Sequence, residues 1–237
     1  MSDALENQNI LCQSCPTLKM GSFKNLNSEE VDTLCRHKRF MFIKKGEFII
    51  REGSYAKGVY CVKSGHFKLT AQGGGGRETI IRFASPGDLI GYRALLAEDP
   101  LSVSVSAVAD AAACFVPKDT LLSFLDNNGP FSLELLRQTS HELSETNKLL
   151  TSLAQKKVQE RLAEVLLMLQ AKFGNDDNGS INVDLKRQEL AELVGTATES
   201  LIRLLSQFEK NGIIFRLGKR FKILDHKQLL QISTILD

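Results

Sequence analysis

At 237 residues, with 43% hydrophobic and 24% charged side chains, the chain has the length for two domains and a composition that excludes a disordered or fibrous polypeptide. A net charge of +2 excludes a uniformly basic protein, although eight Lys or Arg face four Glu between Leu185 and Lys222, so the positive excess is local. No apolar run approaches the roughly 18 to 20 residues that span a bilayer, and MSDALENQNI has neither a basic stretch nor an apolar core, so a cytoplasmic chain with no membrane association is expected.

Five cysteines, an odd number spread over a long chain, point to reduced thiols rather than a disulfide framework. Two of them form Cys12-Gln13-Ser14-Cys15 in an N-terminal arm, residues 1–24. That spacing suits a metal, a cluster or a redox disulfide but supplies only two of four ligands, so two unpaired thiols in a mobile arm is the alternative. Asn27 as N-cap, Glu30 three residues on and a Leu26 to Val31 staple then start a short helix that ends near His37.

From Phe40 to Pro117 the texture changes to short β-branched and aromatic runs broken by glycines. The segments FMFIKKGEFIIREG, GVYCVKSGHFKLTAQ, RETIIRFASPGDLIG and SVSVSAVADAAACFVP read as strands of one antiparallel, jelly-roll-like barrel over 25–129, with a loose hairpin tip at Gly73 to Gly76. Helical texture returns in DTLLSFLDNN and again, after Gly129-Pro130, in a long run that reaches Phe173. In that run Leu136, Leu143 and Leu150 recur every seven residues, with Thr139, Thr146 and Leu153 between them. A seam of this kind over 130–172 predicts a helix that pairs with its own copy. The polar loop Lys172 to Ser180 leads into a winged domain over 173–237, to which Ile181 to Leu185 is expected to add a strand.

The stretch RQELAELVGTATESLIRLLS, Arg187 to Ser206, predicts a helix, a sharp turn and a second helix. Ala191 is small where two helices cross closely, and Gly195 occupies a turn where positive φ is cheap only for glycine. Leu201, Leu204, Leu205 and Phe208 put one face of the second helix in its own core. Thr198, Glu199, Ile202, Arg203 and Ser206 are left on the other face, and Gln188 lies in the first helix. Arginine can read guanine and glutamate can accept from cytosine, so Glu199 and Arg203, one turn apart, suit base edges in a major groove. After Asn211-Gly212, IIFRLGKRFKIL reads as a hairpin wing whose tip carries Lys219 and Arg220 for phosphates.

KKGEFIIREG, SGHFKLTAQ, PGDLIG, QERLAEVLLML and RQELAELVGTATESLIRLL, in that order and followed by a glycine-tipped wing, resemble the CRP/FNR family of bacterial transcription regulators from about Phe23 to the C-terminus. The resemblance implies an α+β fold: a cyclic-nucleotide-binding-type β-barrel, a long dimerisation helix and a C-terminal winged helix-turn-helix. It also implies double-stranded DNA with a near-palindromic site and RNA polymerase as partners. Glu199 and Arg203 match the family's readers of a TGA-like core, whereas Ile202 stands where the FNR branch has serine.

Two departures qualify the resemblance. The family's cyclic AMP cassette has Gly-Glu followed after a short loop by Arg-Ser; here Gly91 precedes Tyr92 and Arg93, and Ser102 and Val103 stand in place of Arg-Ser. A buried phosphate without that arginine is an unpaired charge, so cyclic AMP is not the expected ligand. Gly91, Tyr92 and Arg93 remain candidates for another anion, with an ion-paired surface Arg93 as the alternative. In the FNR branch, Cys12, Cys15 and Cys114 resemble three of the ligands of a [4Fe–4S] cluster. Gly21 replaces the third N-terminal cysteine, so Cys35, Cys61 or a carboxylate would have to complete the set. No catalytic constellation accompanies Cys12 and Cys15, and the chain is not expected to be an enzyme.

Overall fold

The computed structural model describes residues 12–73 and 78–233. Residues 1–11 of the expected arm and Gly74 to Gly76 of the expected hairpin tip lie outside them. The chain divides into two compact units, 1–144 and 145–237. Among the described residues no helix is long and apolar enough to cross a membrane.

The first unit opens with a 3-10 turn at Cys12–Ser14, α1 (Pro16–Met20), a second 3-10 turn at Ser22–Asn25 and α2 (Ser28–His37). The α2 start is reciprocal: the Asn27 side chain accepts the Glu30 N–H at 3.0 Å and the Glu30 carboxylate accepts the Asn27 N–H at 2.8 Å. There follow β1 (Arg39–Ile43), β2 (Phe48–Ile50), β3 (Gly58–Ser64), β4 (Phe67–Gln72), β5 (Glu78–Ala84), β6 (Leu89–Ile90), α3 (Tyr92–Ala97), β7 (Ser104–Ala107), β8 (Ala111–Pro117), α4 (Lys118–Asn127) and α5 (Gly129–Gln155).

The expected barrel is a roll of two four-stranded antiparallel sheets, β1-β8-β3-β6 and β2-β7-β4-β5. Alternate side chains of both sheets, including Ile43, Val62, Phe67, Leu69, Val105 and Ala113, fill a common core. On the helical side, Val59, Leu89 and Val116 pack with Phe23, Leu34, Leu121, Phe124, Phe131 and Leu135. Phe131 stacks on Phe23 with centroids 5.6 Å apart and meets Phe124 edge-on at 6.2 Å. The start of α5 is fixed by Asn128, whose side chain accepts the Phe131 N–H at 2.8 Å and donates to Glu30 Oε2 at 2.6 Å.

The second unit contains the end of α5, α6 (Val158–Phe173), α7 (Arg187–Val194), α8 (Thr198–Lys210), β9 (Ile214–Leu217), β10 (Arg220–Ile223) and α9 (His226–Ser233). Two details correct the sequence reading. The helical run to Phe173 is broken, because Lys157 is extended (φ −67°, ψ 154°) and α6 restarts with the Glu160 carboxylate accepting the Lys157 N–H at 3.0 Å. Ile181 to Leu185 is not a strand: Ile181 makes an isolated bridge with Asn175 and donates its N–H to the Phe221 carbonyl at 2.8 Å, after which the chain leaves the ladder.

Candidate functional site

The helix-turn-helix is assembled from α7, a three-residue turn from Gly195 to Ala197, and α8. Gly195 adopts the left-handed conformation (φ 68°, ψ 49°), and its N–H and that of Thr196 close the end of α7 on the Ala191 and Glu192 carbonyls. Ala191, Leu201, Leu205 and Phe208 are buried, which fixes which side of α8 faces inward. Glu199, Ile202, Arg203 and Ser206 are exposed on the opposite side and Thr198 is half-buried at its first turn. Among the described residues the side-chain contact of Arg203 is a long one, 3.4 Å to Ser200 Oγ, which leaves guanidinium donors for another acceptor. Gln188 is exposed on α7, where its Nε2 donates to Glu192 at 3.1 Å.

Arg161, which carries no sequence signal of a special role, holds the turn. Its Nε donates to the Val194 carbonyl at 2.8 Å, Nη2 to that of Gly195 at 3.0 Å and Nη1 to that of Lys156 at 2.7 Å.

In the wing, β9 and β10 pair antiparallel with Arg220 opposite Leu217, and Gly218 and Lys219 form the tip. Lys219 is exposed. Arg220 is not the free cation its place near the tip predicts: its Nε donates to Asp184 at 2.8 Å and Nη1 to Asp176 at 2.7 Å. Two carboxylates thus claim the guanidinium, and the hydrogen bond to Arg220 holds the Asp176 carboxyl below its usual range. Arg216 is likewise bound by Glu209, and Lys222 donates to the Asn178 carbonyl at 3.1 Å. Arg187 supports the tip from behind by donating to the Gly218 carbonyl at 2.7 Å and stacking on Phe221.

On α5, Leu136, Leu143 and Leu150 are about three-fifths exposed (63%, 61% and 60%), and Leu153 is exposed beside them. Leucines at this spacing form an apolar stripe that the described residues of the chain do not cover.

Two cavities among the described residues of the first unit meet the candidate residues. The larger, of about 290 Å³, is lined by Ile50, Leu69, Ile90, Leu101 and Val103 together with Gly91, Tyr92, Arg93 and Arg82. Gly91 takes a left-handed φ of 91° that lets α3 turn in beside the wall. Arg93 is ion-paired: its Nε lies 3.3 Å from Glu142, which also receives Arg82 at 3.1 Å. Ser102 and Val103, which stand in place of the Arg-Ser of the cyclic AMP cassette, line the same cavity.

The second cavity is lined by Cys12, Cys15, Cys61 and Cys114, with Lys38 and Lys63. Cys61 and Cys114 are direct cross-strand partners on β3 and β8, and the two N-terminal cysteines come over them from the 3-10 turn and the cap of α1. Cys12 is buried rather than carried on a loose arm, and its desolvation pushes the thiol up to about 11, against the lowering effect of a hydrogen bond with Lys38. Burial raises Cys61 and Cys114 as well. Among the described residues no three His, Cys, Asp or Glu side chains lie close enough to hold a single metal ion. The cavity thus offers four thiols beside two ammonium groups, with burial holding Cys12, Cys61 and Cys114 toward the protonated form.

Comparison with known proteins gives these regions an ancestry. Residues 40–128 match the cyclic nucleotide-binding domain and residues 160–232 the Crp-like helix-turn-helix domain. The chain is 30% identical to the Transcriptional activator protein Anr of Pseudomonas protegens over 226 residues, covering 94% of this chain and 92% of that one. It is 27% identical to the CRP-like cAMP-activated global transcriptional regulator of Mycobacterium tuberculosis, covering 89% and 95%. In fold it resembles FixK2 of Bradyrhizobium japonicum, with a TM-score of 0.73 at 23% identity over 84% of this chain and 99% of that one. With the helix-turn-helix domain matched and the relationship to Anr extending over nearly the whole length of both proteins, the chain belongs to the CRP/FNR family of DNA-binding transcription regulators.

Proposed function

We propose that the chain acts as a homodimer whose two α8 helices enter successive major grooves of a near-palindromic site, with the N-terminal unit as a sensor that does not use cyclic AMP. The observation that carries this reading is the division of α8: Leu201, Leu205 and Phe208 are buried while Glu199, Ile202 and Arg203 are exposed on the same helix. Glu199 and Arg203 read base edges, Thr198 and Gln188 touch the backbone or flanking bases, and Lys219 contacts phosphate without reading sequence. The leucine stripe of α5 sets the dimer, and a two-fold dimer reads half-sites about 34 Å apart. RNA polymerase is the downstream partner and the cytoplasm the compartment.

A gel shift with purified protein on palindromic sites bearing a TGA-like core, and on scrambled sites, tests the reading. Preference for the matched site, steeply weakened by salt, is expected. Equal retention of both duplexes in dilute buffer contradicts it.

A second reading concerns the signal and rests on the thiol cavity. Cys12, Cys15, Cys61 and Cys114 would hold an iron–sulfur cluster, with Cys61 in place of the missing N-terminal cysteine. Such a cluster would supply oxygen- or redox-sensitivity; the chain's own part is to deliver four thiols and two balancing ammonium groups. Protein purified without air decides it: visible absorption with bound iron supports the cluster, and a colourless protein without metal leaves the thiols as buried apolar side chains.

A further inference from the structure

The feature left over is the acid that meets the two arginines of the larger cavity's wall. Arg82 reaches it from β5 and Arg93 from α3, and both end on Glu142 of α5, at 3.1 Å and 3.3 Å. The Glu142 side chain is 13% exposed and Arg82 is half-buried, whereas Arg93 approaches from the surface at 46% exposed. Arg82 Nε is buried without a hydrogen-bond partner among the described residues. One carboxylate therefore faces two guanidinium groups, whose planar forks carry five N–H donors each. Among the residues that line the cavity the acid is Asp99, on its exposed rim.

Behind the arginines the wall is apolar, from Ile50, Leu69, Ile90, Leu101 and Val103. One turn before Glu142 on α5, Thr139 Oγ1 lies 3.4 Å from the Tyr92 hydroxyl, so the same helix touches the wall twice. The residue after Glu142 is Leu143, in the exposed leucine stripe.

We propose that Glu142 is an internal stand-in for an anionic effector: the cavity takes a small molecule with a carboxylate head and a short apolar body, which displaces Glu142 from Arg82 and Arg93. This rests on reading the first unit as a sensor. The volume of about 290 Å³ lies at the small end of ligand sites, which run from about 300 to 1,000 Å³, and suits a short-chain acid. The head competes for the forked donors, the body fills the apolar wall, and the freed acid loosens α5 beside Leu143. By linkage, whatever holds α5 in its bridged position weakens the ligand by the same factor.

The test uses the full-length protein and the probe hexanoate, with 1-hexanol as its uncharged counterpart, titrated by calorimetry. Glu142→Gln removes the internal competitor and should tighten hexanoate about tenfold while leaving hexanol unchanged. Arg82→Gln with Arg93→Gln should weaken hexanoate at least about tenfold. Hydrogen exchange over 136–144 should quicken both in Glu142→Gln and in the native protein saturated with hexanoate. If the double variant does not fold, Glu142→Gln and the acid–alcohol pair still decide. Equal hexanoate affinity in native and Glu142→Gln protein, or no hexanoate binding to Glu142→Gln, overturns the proposal. None of these readings involves DNA, so a failed gel shift and a failed titration are separate results.

Discussion

Two helices of this molecule present an uncovered face, and the faces differ in kind. Along α5 it is apolar, with Leu136, Leu143 and Leu150 open to solvent; along α8 it is polar, with Glu199 and Arg203 set around Ile202. An apolar stripe gains by removing itself from water and matches another stripe of the same make, whereas an acid and a guanidinium one turn apart gain little from each other in water and more from a partner with fixed donors and acceptors. The difference in side-chain chemistry is what the proposed division rests on, α5 for self-association and α8 for a duplex.

The comparison breaks most sharply at Leu143. Leu143→Glu should raise the dimer dissociation constant at least about a hundredfold by sedimentation, because a carboxylate at the seam has no partner. The melting temperature of the monomer should scarcely move, since Leu143 is 61% exposed. An unchanged dimer would place self-association elsewhere.

On α8, Arg203→Ala should cost about 1 to 3 kcal/mol on the matched site and almost nothing on scrambled DNA in a gel shift. Losses of equal size on both would mean that α8 does not discriminate bases.

The wing sharpens the contrast with a smaller effect. Lys219→Ala should weaken all duplexes alike, by a few-fold, and lower the slope of log affinity against log salt by about 1. Arg220→Ala should act through folding, because its guanidinium already serves Asp176 and Asp184.

The smallest effect is with pH. Arg220 holds the Asp176 carboxyl, and Arg216 the Glu209 carboxyl, below the ordinary range in the folded protein. The stability they contribute is complete above the unfolded carboxylate pKa and is lost as pH falls through the lower folded value. Thermal melts in acid should therefore show a steeper decline for the native protein than for Asp176→Asn, whose curve is flatter and starts lower. Identical acid limbs would show that the Asp176 pair contributes nothing.

Much of the fold was legible because its signals are local. The reciprocal Asn27 and Glu30 cap, the alternation across the strands, Gly195 at a left-handed turn and the leucine period of α8 each act within a few residues. What the sequence hid depends on distance. Arg220 meets its acids 36 and 44 positions away, and nothing near it separates a structural arginine from a phosphate contact. The Arg82–Glu142–Arg93 bridge joins a strand, a short helix and a long helix with no shared motif. The break at Lys157 falls in a stretch with neither Gly nor Pro, so helical periodicity runs straight across it. Cys12 and Cys15 signalled themselves by spacing, but Cys61 joins them only because the β3–β8 register brings it opposite Cys114.

The four carbonyls gathered by Arg161 belong to different parts of the second unit: Leu153 in α5, Lys156 just after it, Val194 at the end of α7 and Gly195 in the turn before α8. A single guanidinium thus splices the tail of α5 to the turn that precedes α8. Any shift at the end of α5 therefore strains the same carbonyls that set the start of α8, and the Leu153 side chain lies against Gly195 at that joint.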